Sequence, residues 1–297
     1  MFIDIHTHAY RLTPPMYRFC TPEQLLKRYD EMKVDAAVIL PVVSPEIYFP
    51  QAVEDVLEMR DRWPDRFVAY CNVDPRSMYN SPFSPLGDIL EHYKSLGCKG
   101  VGEIMPTMKM MDLRMQNLFR CAEKAGLPVV IDGSAQTEGD FGVYDDPGLP
   151  QLEYTLLAFP ELKVFGHGSI FWGEIAKLET VGERTVFFTP YGRQVAHLPK
   201  TPIEEEGAVP KLLRRYPNLL GDLSDGCAYN AIARDPDYGP RFLSEFEDRL
   251  YFGTDMCFEG MTVELDSLLL SWRQQGKISE TTFRRIAYEN AEKLLGL

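Results

Sequence analysis

Phe2-Ile3-Asp4-Ile5-His6-Thr7-His8 is the stretch on which the fold turns. It reads as a β-strand from Phe2 to Thr7, and the period of two puts Asp4, His6 and His8 on one face and Ile3, Ile5 and Thr7 on the other. The run continues His-Thr-His-Ala-Tyr, where an open doubly wound sheet usually carries a glycine-rich phosphate loop. Further short apolar, β-branched runs follow at Ala36 to Val43, Phe67 to Val73, Gly100 to Met105, Pro128 to Asp132, Leu162 to His167, Asn218 to Leu223 and Leu250 to Thr254. Amphipathic stretches separate them at Pro22 to Met32, Gln51 to Trp63, Leu86 to Leu96, Asp112 to Ala125, Val209 to Tyr216 and Gly239 to Glu247, with two more helices expected after the last strand. Such alternation requires parallel strands joined by right-handed crossovers. Eight strands favour closure, so the expected fold is α/β, a single (β/α)8 TIM barrel occupying residues 1–297 as one domain. The open sheet is the alternative.

Punctuation agrees with this pattern. Thr21-Pro22-Glu23 supplies an N-cap, a first-turn proline and an acid, and Gly97 and Gly126 sit where helices should stop. One irregular stretch, about 181–208 after the sixth strand, is rich in Gly, Pro and aromatics and longer than a barrel loop needs. It is expected to be a loop insertion serving as a lid or pocket wall, or as a subunit contact.

The net charge of −13 and a pI near 4.9 repel phosphate backbones and anionic lipid surfaces, which argues for a small-molecule substrate and against nucleic acid or a membrane as partner. No apolar run approaches the ~18 residues of a membrane span, and no signal peptide is visible. Six cysteines without a CxxC pair read as reduced thiols in a cytoplasmic protein. Cys257 is expected to be a small core residue, with a reactive thiol as the alternative.

Polar groups concentrate where the barrel reading puts its carboxyl-terminal strand ends, the face on which such barrels carry their active sites. They are His6-Thr7-His8, Glu103, Asp132, His167, Asp222 with Asp225, and Asp255. Two imidazoles on one strand face suit Zn, Fe, Ni or Cu, and mixed imidazole and carboxylate ligation is typical of catalytic zinc. Asp4, one step deeper, is placed to orient a ligand. Each residue also has a plainer reading. Asp255 and Asp132 could cap helices, His167 could be a hydrogen-bonded core histidine, and Glu103 could pair with Lys99 or Lys109.

The run Ile3 to His8, the segment Gly100-Val101-Gly102-Glu103-Ile104, the turn Phe165-Gly166-His167-Gly168 with Phe171-Trp172-Gly173-Glu174-Ile175, and Phe252-Gly253-Thr254-Asp255 together resemble the amidohydrolase superfamily. The resemblance is to its amidohydrolase-related branch (amidohydrolase family 2), which includes aminocarboxymuconate semialdehyde decarboxylase-like proteins, and it runs the length of the chain. It implies that His6 and His8 ligate a metal, that Asp255 ligates it or takes a proton from water, and that His167 is an acid or base toward substrate. It implies a homodimer as well, since relatives are often dimers. At the fifth strand, where many relatives have histidine, this chain has Val129-Val130-Ile131-Asp132-Gly133. The expected metal set is therefore His6, His8, Glu103, Asp132 and Asp255, or the same set with Asp132 as a pocket residue. The expected cofactor is one divalent metal ion, Zn first, with Mn or Fe as oxygen-rich alternatives.

Trp172, Arg193, Asp225 and Asn230 are the expected substrate-binding residues, Arg193 because its planar fork suits a carboxylate. Tyr191, His197 and Tyr229 fall nearby, and His92 reads as surface. The expected function is a metal-dependent hydrolase of a small ester, lactone or amide, with catalytic His167 and Asp255. The alternative is a metal-dependent non-oxidative decarboxylase, a carboxy-lyase. A third reading is a non-catalytic binding barrel.

Overall fold

Short β-branched runs and amphipathic helices alternate along the chain as the periodicity predicts. The structure, a computed structural model, describes residues 1–12, 19–46, 50–138, 140–184, 186–188, 194–196 and 198–297. Its strands are β1 (Phe2–Thr7), β2 (Val34–Ile39), β3 (Phe67–Ala69), β4 (Val101–Ile104), β5 (Val129–Ser134), β6 (Val143–Tyr144), β7 (Val164–His167), β8 (Val186–Phe188), β9 (Gln194–Ala196), β10 (Leu219–Asp222) and β11 (Leu250–Tyr251). Its helices are α1 (Pro22–Met32), α2 (Val53–Arg62), α3 (Leu86–Ser95), α4 (Leu113–Ala125), α5 (Pro150–Ala158), α6 (Gly168–Gly173), α7 (Ala208–Arg215), α8 (Asp225–Ala233), α9 (Tyr238–Glu245), α10 (Leu265–Gln274), α11 (Glu280–Arg284) and α12 (Asn290–Leu295).

Contacts divide the chain into two compact units. The first gathers Met1–Pro41, Gln51–Tyr70 and Gly221–Leu297. In it β1, β2 and β3 pair in that order, all parallel. The chain after β11 runs alongside β1, with Thr7 bridging Met256 in parallel and the Ile5 amide donating to the Phe252 carbonyl at 3.1 Å. Gly221 and Asp222 pair in parallel with Leu250 and Tyr251. Helix α1 opens on the expected cap, because the Thr21 hydroxyl accepts from the Gln24 amide while the Gln24 side chain accepts from the Thr21 amide.

The second unit gathers Val42–Pro50 and Cys71–Leu220. Here β4, β5 and β7 pair in parallel, β5 also pairs with β6, and the β5–β7 register sets Asp132 beside His167. Gly133 and Gly166 lack side chains where Ile170 and Phe171 of α6 lie, so α6 packs directly on the strands that carry Asp132 and His167. Gly126 ends α4 in the left-handed conformation its position suggested.

Several boundaries differ from expectation. The eighth expected strand stops at Tyr251 instead of Thr254, because the Phe252 amide turns to the Ile286 carbonyl and the Thr254 amide to Asp4. Among the described residues of the stretch 181–208 are a 3-10 turn at Val181–Arg184 and an antiparallel pair, β8 with β9. Helices α5, α6 and α8 had no individual forecast. In α5 the apolar residues include both buried Leu152 and Leu156 and exposed Tyr154 and Leu157, so no single stripe marks it.

Candidate metal centre

In the first unit, β1 is buried along its whole length, and Asp4 and His6 within it and His8 just after it are each 3% exposed or less. The His6 Nδ1 lies 2.6 Å from Asp222 Oδ2, and the His8 Nδ1 lies 2.9 Å from the Leu40 carbonyl oxygen. Both partners are acceptors, so both Nδ1 atoms carry hydrogen and both Nε2 atoms present a lone pair. Those Nε2 atoms are 3.2 Å apart. Asp255 Oδ1 completes a triangle with them, 3.5 Å from His6 Nε2 and 3.3 Å from His8 Nε2.

With both imidazoles neutral and Asp255 ionised, these three atoms are all acceptors, and a cation among them would satisfy all three at once, whereas a shared proton serves one pair. The spacing matches such a cation, since four ligands about 2.0–2.1 Å from a tetrahedral Zn stand about 3.3–3.4 Å apart. The donor set therefore fits a divalent metal. Asp255 reaches its place through a left-handed backbone (φ 52°), which aspartate tolerates better than most residues, and its amide donates to the His6 carbonyl at 2.8 Å.

Beneath this triangle Asp4 ties the two strand ends together. Its Oδ1 accepts from the amides of His6 (2.9 Å) and Thr254 (3.0 Å), and its Oδ2 from the hydroxyls of Thr254 (2.5 Å) and Tyr29. Burial raises the Asp4 carboxyl to about 6, against the pull of these donors.

In the second unit Glu103, Asp132 and His167 come together, all buried, with ligand-type atoms within 4.8 Å of one another. His167 Nε2 is 3.6 Å from Glu103 Oε1, within ion-pair range but too long for a hydrogen bond. Asp132 Oδ1 lies over Gly168, whose φ of +81° and missing side chain leave room for it. His167 also lines a small pocket with Asp145, Ile131, Phe165 and Ile170.

Of the expected substrate residues, Asp225 starts α8 at φ 66° and lines a pocket of the first unit with Tyr229, Gly253, Thr254, Thr262 and Glu264. Asn230 lies further along α8 and is 9% exposed. Trp172 is fully buried in α6, its ring edge-on to Phe171 at 5.1 Å. Arg193, Tyr191 and His197 lie outside the described residues. His92 is exposed, as expected. Asp222 had no assigned role in the sequence reading. Its signal was a carboxylate closing the apolar run Leu219-Leu220-Gly221, whereas the Leu40 carbonyl that orients His8 is backbone and has none.

The family model described as Amidohydrolase matches residues 3–297. The chain belongs to this family of metal-dependent enzymes. No curated protein matches it. Among solved structures it is similar to an uncharacterized TIM-barrel protein of Bordetella bronchiseptica, with 15% identity, 99% of this chain and 98% of that one covered, and a TM-score of 0.65. A 5-carboxyvanillate decarboxylase of Novosphingobium aromaticivorans, complexed with manganese, matches at 14% identity over 100% and 96% of the two chains, with a TM-score of 0.64. A probable 2-pyrone-4,6-dicarboxylic acid hydrolase of Acinetobacter baumannii matches at 14% over 100% and 99%, with a TM-score of 0.60. At these identities the likeness shows the fold, a parallel α/β TIM barrel, and both hydrolases and decarboxylases share it.

Proposed function

We propose that the chain is a metal-dependent hydrolase of a small-molecule ester, lactone or amide. The observation that carries the metal is the convergence of His6 Nε2, His8 Nε2 and Asp255 Oδ1, three acceptors at 3.2–3.5 Å. A divalent ion, Zn before Mn or Fe for a site with two imidazoles, supplies when bound a Lewis acid that polarises a substrate oxygen and lowers the pKa of water. Asp222 and the Leu40 carbonyl hold the imidazoles in the ligating tautomer. Asp255 receives the proton of the attacking water. His167 delivers a proton to the leaving group, and Glu103 beside it steadies the imidazolium charge.

Glu103 and Asp132 carry over as proposed oxygen ligands on the strength of the resemblance. Trp172, Arg193, Asp225 and Asn230 carry over as proposed substrate contacts. The family match over 3–297 supports a single domain. No helix among the described residues is long and apolar enough to cross a membrane, and none of the six cysteines is in a disulfide, which supports the proposed cytoplasmic location. A small-molecule substrate, a homodimer, and no nucleic-acid or membrane partner complete the proposal.

The second reading is a carboxy-lyase, supported by the likeness to a manganese-bound decarboxylase. Release of carbon dioxide from a carboxylated substrate without uptake of water would select it.

The test is bound metal measured by mass spectrometry on chain purified without chelator, beside His6→Ala/His8→Ala, Glu103→Gln and Asp132→Asn variants. About one equivalent in the parent and none in the double histidine variant is expected. A parent that retains no ion and refuses added Zn and Mn overturns the metal mechanism. Full metal content in the Glu103→Gln or Asp132→Asn protein removes that residue from the ligand set.

A further inference from the structure

Cys257 follows Asp255 by two residues and stands apart from the other cysteines. The remaining five are buried, whereas Cys257 is part-exposed at the edge of the His6, His8 and Asp255 cluster. Its thiol donates toward Asp255, with Sγ 3.5 Å from Oδ1 and 3.3 Å from the Asp255 carbonyl oxygen. His8, Asp255 and Cys257 each offer one ligand atom, and all three atoms fall within 4.8 Å of one another.

The backbone holds this placement firmly. The Met256 carbonyl accepts from the His8 amide at 3.0 Å and from the Thr7 hydroxyl at 3.1 Å. The Met256 amide donates to Thr254 Oγ1 at 3.1 Å, and the Cys257 carbonyl accepts from the Cys20 amide at 2.9 Å. The left-handed turn at Asp255 then lets the side chains of Asp255 and Cys257 point to one place. The thiol proton now lies between Sγ and Oδ1, and a divalent ion could replace it without moving either atom, since a Zn–S bond near 2.3 Å and a Zn–O bond near 2.0–2.1 Å at the tetrahedral angle leave about 3.6 Å between the donors.

We propose that Cys257 Sγ is a further ligand of the metal held by His6, His8 and Asp255, binding as thiolate with its proton released to solvent. The inference rests on the metal site proposed above and adds a soft donor to it. A thiolate biases a site toward Zn or Co and away from Mn, which prefers oxygen.

Co(II) is the probe, because a cysteine thiolate on Co(II) gives an intense near-ultraviolet charge-transfer absorption that imidazole and carboxylate do not. The full chain and its Cys257→Ser variant would be loaded with Co(II), their spectra recorded and their metal content measured. The expected result is the sulfur band in the parent and its loss in the variant, with cobalt still bound. Zn affinity in the variant should fall by about 10- to 100-fold or more, with a smaller change for Mn. Cobalt bound at full stoichiometry without the band, or a band that persists in the variant, overturns the role of Cys257 while leaving the histidine and aspartate site standing. A parent that takes up no cobalt, Zn or Mn overturns both.

Discussion

The His6–His8–Asp255 cluster of the first unit and the Glu103–Asp132–His167 cluster of the second are built from imidazole and carboxylate alike, yet their hydrogen-bonding capacities differ. In the first, the N–H of each imidazole is already committed to Asp222 or to the Leu40 carbonyl, so the facing atoms are all acceptors. In the second, a single imidazole sits with two carboxylates, Glu103 Oε1 at 3.6 Å, and a proton on that ring can serve the set. Residue type alone therefore does not fix what a cluster presents: in the first, the Asp222 and Leu40 acceptors on Nδ1 leave Nε2 of each neutral imidazole as the facing acceptor.

The second cluster is the easier to break, and Gly168→Ala should do it. A methyl there would strike Asp132 Oδ1, and φ +81° is unfavourable to alanine. Left-handed strain and overpacking together should cost about 3 kcal/mol of stability, read as a lowered urea midpoint. An alanine variant as stable as the parent would mean that Asp132 is not packed against Gly168. The first cluster is sharpened by Asp222→Asn, which keeps shape but removes the charge on His6 Nδ1 and allows an amide N–H to face it. Zn affinity, measured by chelator competition, should fall by roughly 10- to 100-fold, and folding stability by about 1–3 kcal/mol, because Ser224 N–H and His6 Nδ1–H both need an acceptor there. Unaltered affinity would show that the His6 tautomer is not set by Asp222.

Much of this was legible in residue order. The period-2 alternation of β1 placed Asp4, His6 and His8 on one face, and the Nε2 atoms of His6 and His8 do meet at 3.2 Å. Thr21 and Gly126 marked real helix ends because capping is local chemistry. The partners of the histidine Nδ1 atoms were not legible. Asp222 lies 216 residues from His6 and Leu40 contributes only its carbonyl, so neither contact leaves a local pattern. Cys257 was read as a core thiol for a similar reason, since only the left-handed turn at Asp255 brings its sulfur to the carboxylate. Within 181–208 the short pair Val186–Phe188 with Gln194–Ala196 had no forecast of its own, since three-residue strands are too short to show a period.

The smallest expected effect concerns Asp145 of the second unit, whose carboxylate accepts from the amides of Asp146, Gln151 and Leu152. Its carboxyl is fully buried, and burial raises it from 3.8 to about 6, opposed by the amides of Leu152, Gln151 and Asp146 and by the charge of Arg184. A raised carboxyl pKa means that the native chain holds this proton more tightly than the unfolded chain. The stability it contributes is thus fully present below about pH 4 and is lost as pH rises through about 6, with a slope of at most about 1.4 kcal/mol per pH unit. Asp145→Asn has no proton to lose, so urea unfolding between pH 4 and 7 should show the parent losing more stability than the variant across that window. Asp4, also raised to about 6, leaves a residual slope in both. Parallel pH profiles would mean that Asp145 ionises alike in the folded and unfolded chains, and burial would then not set its titration.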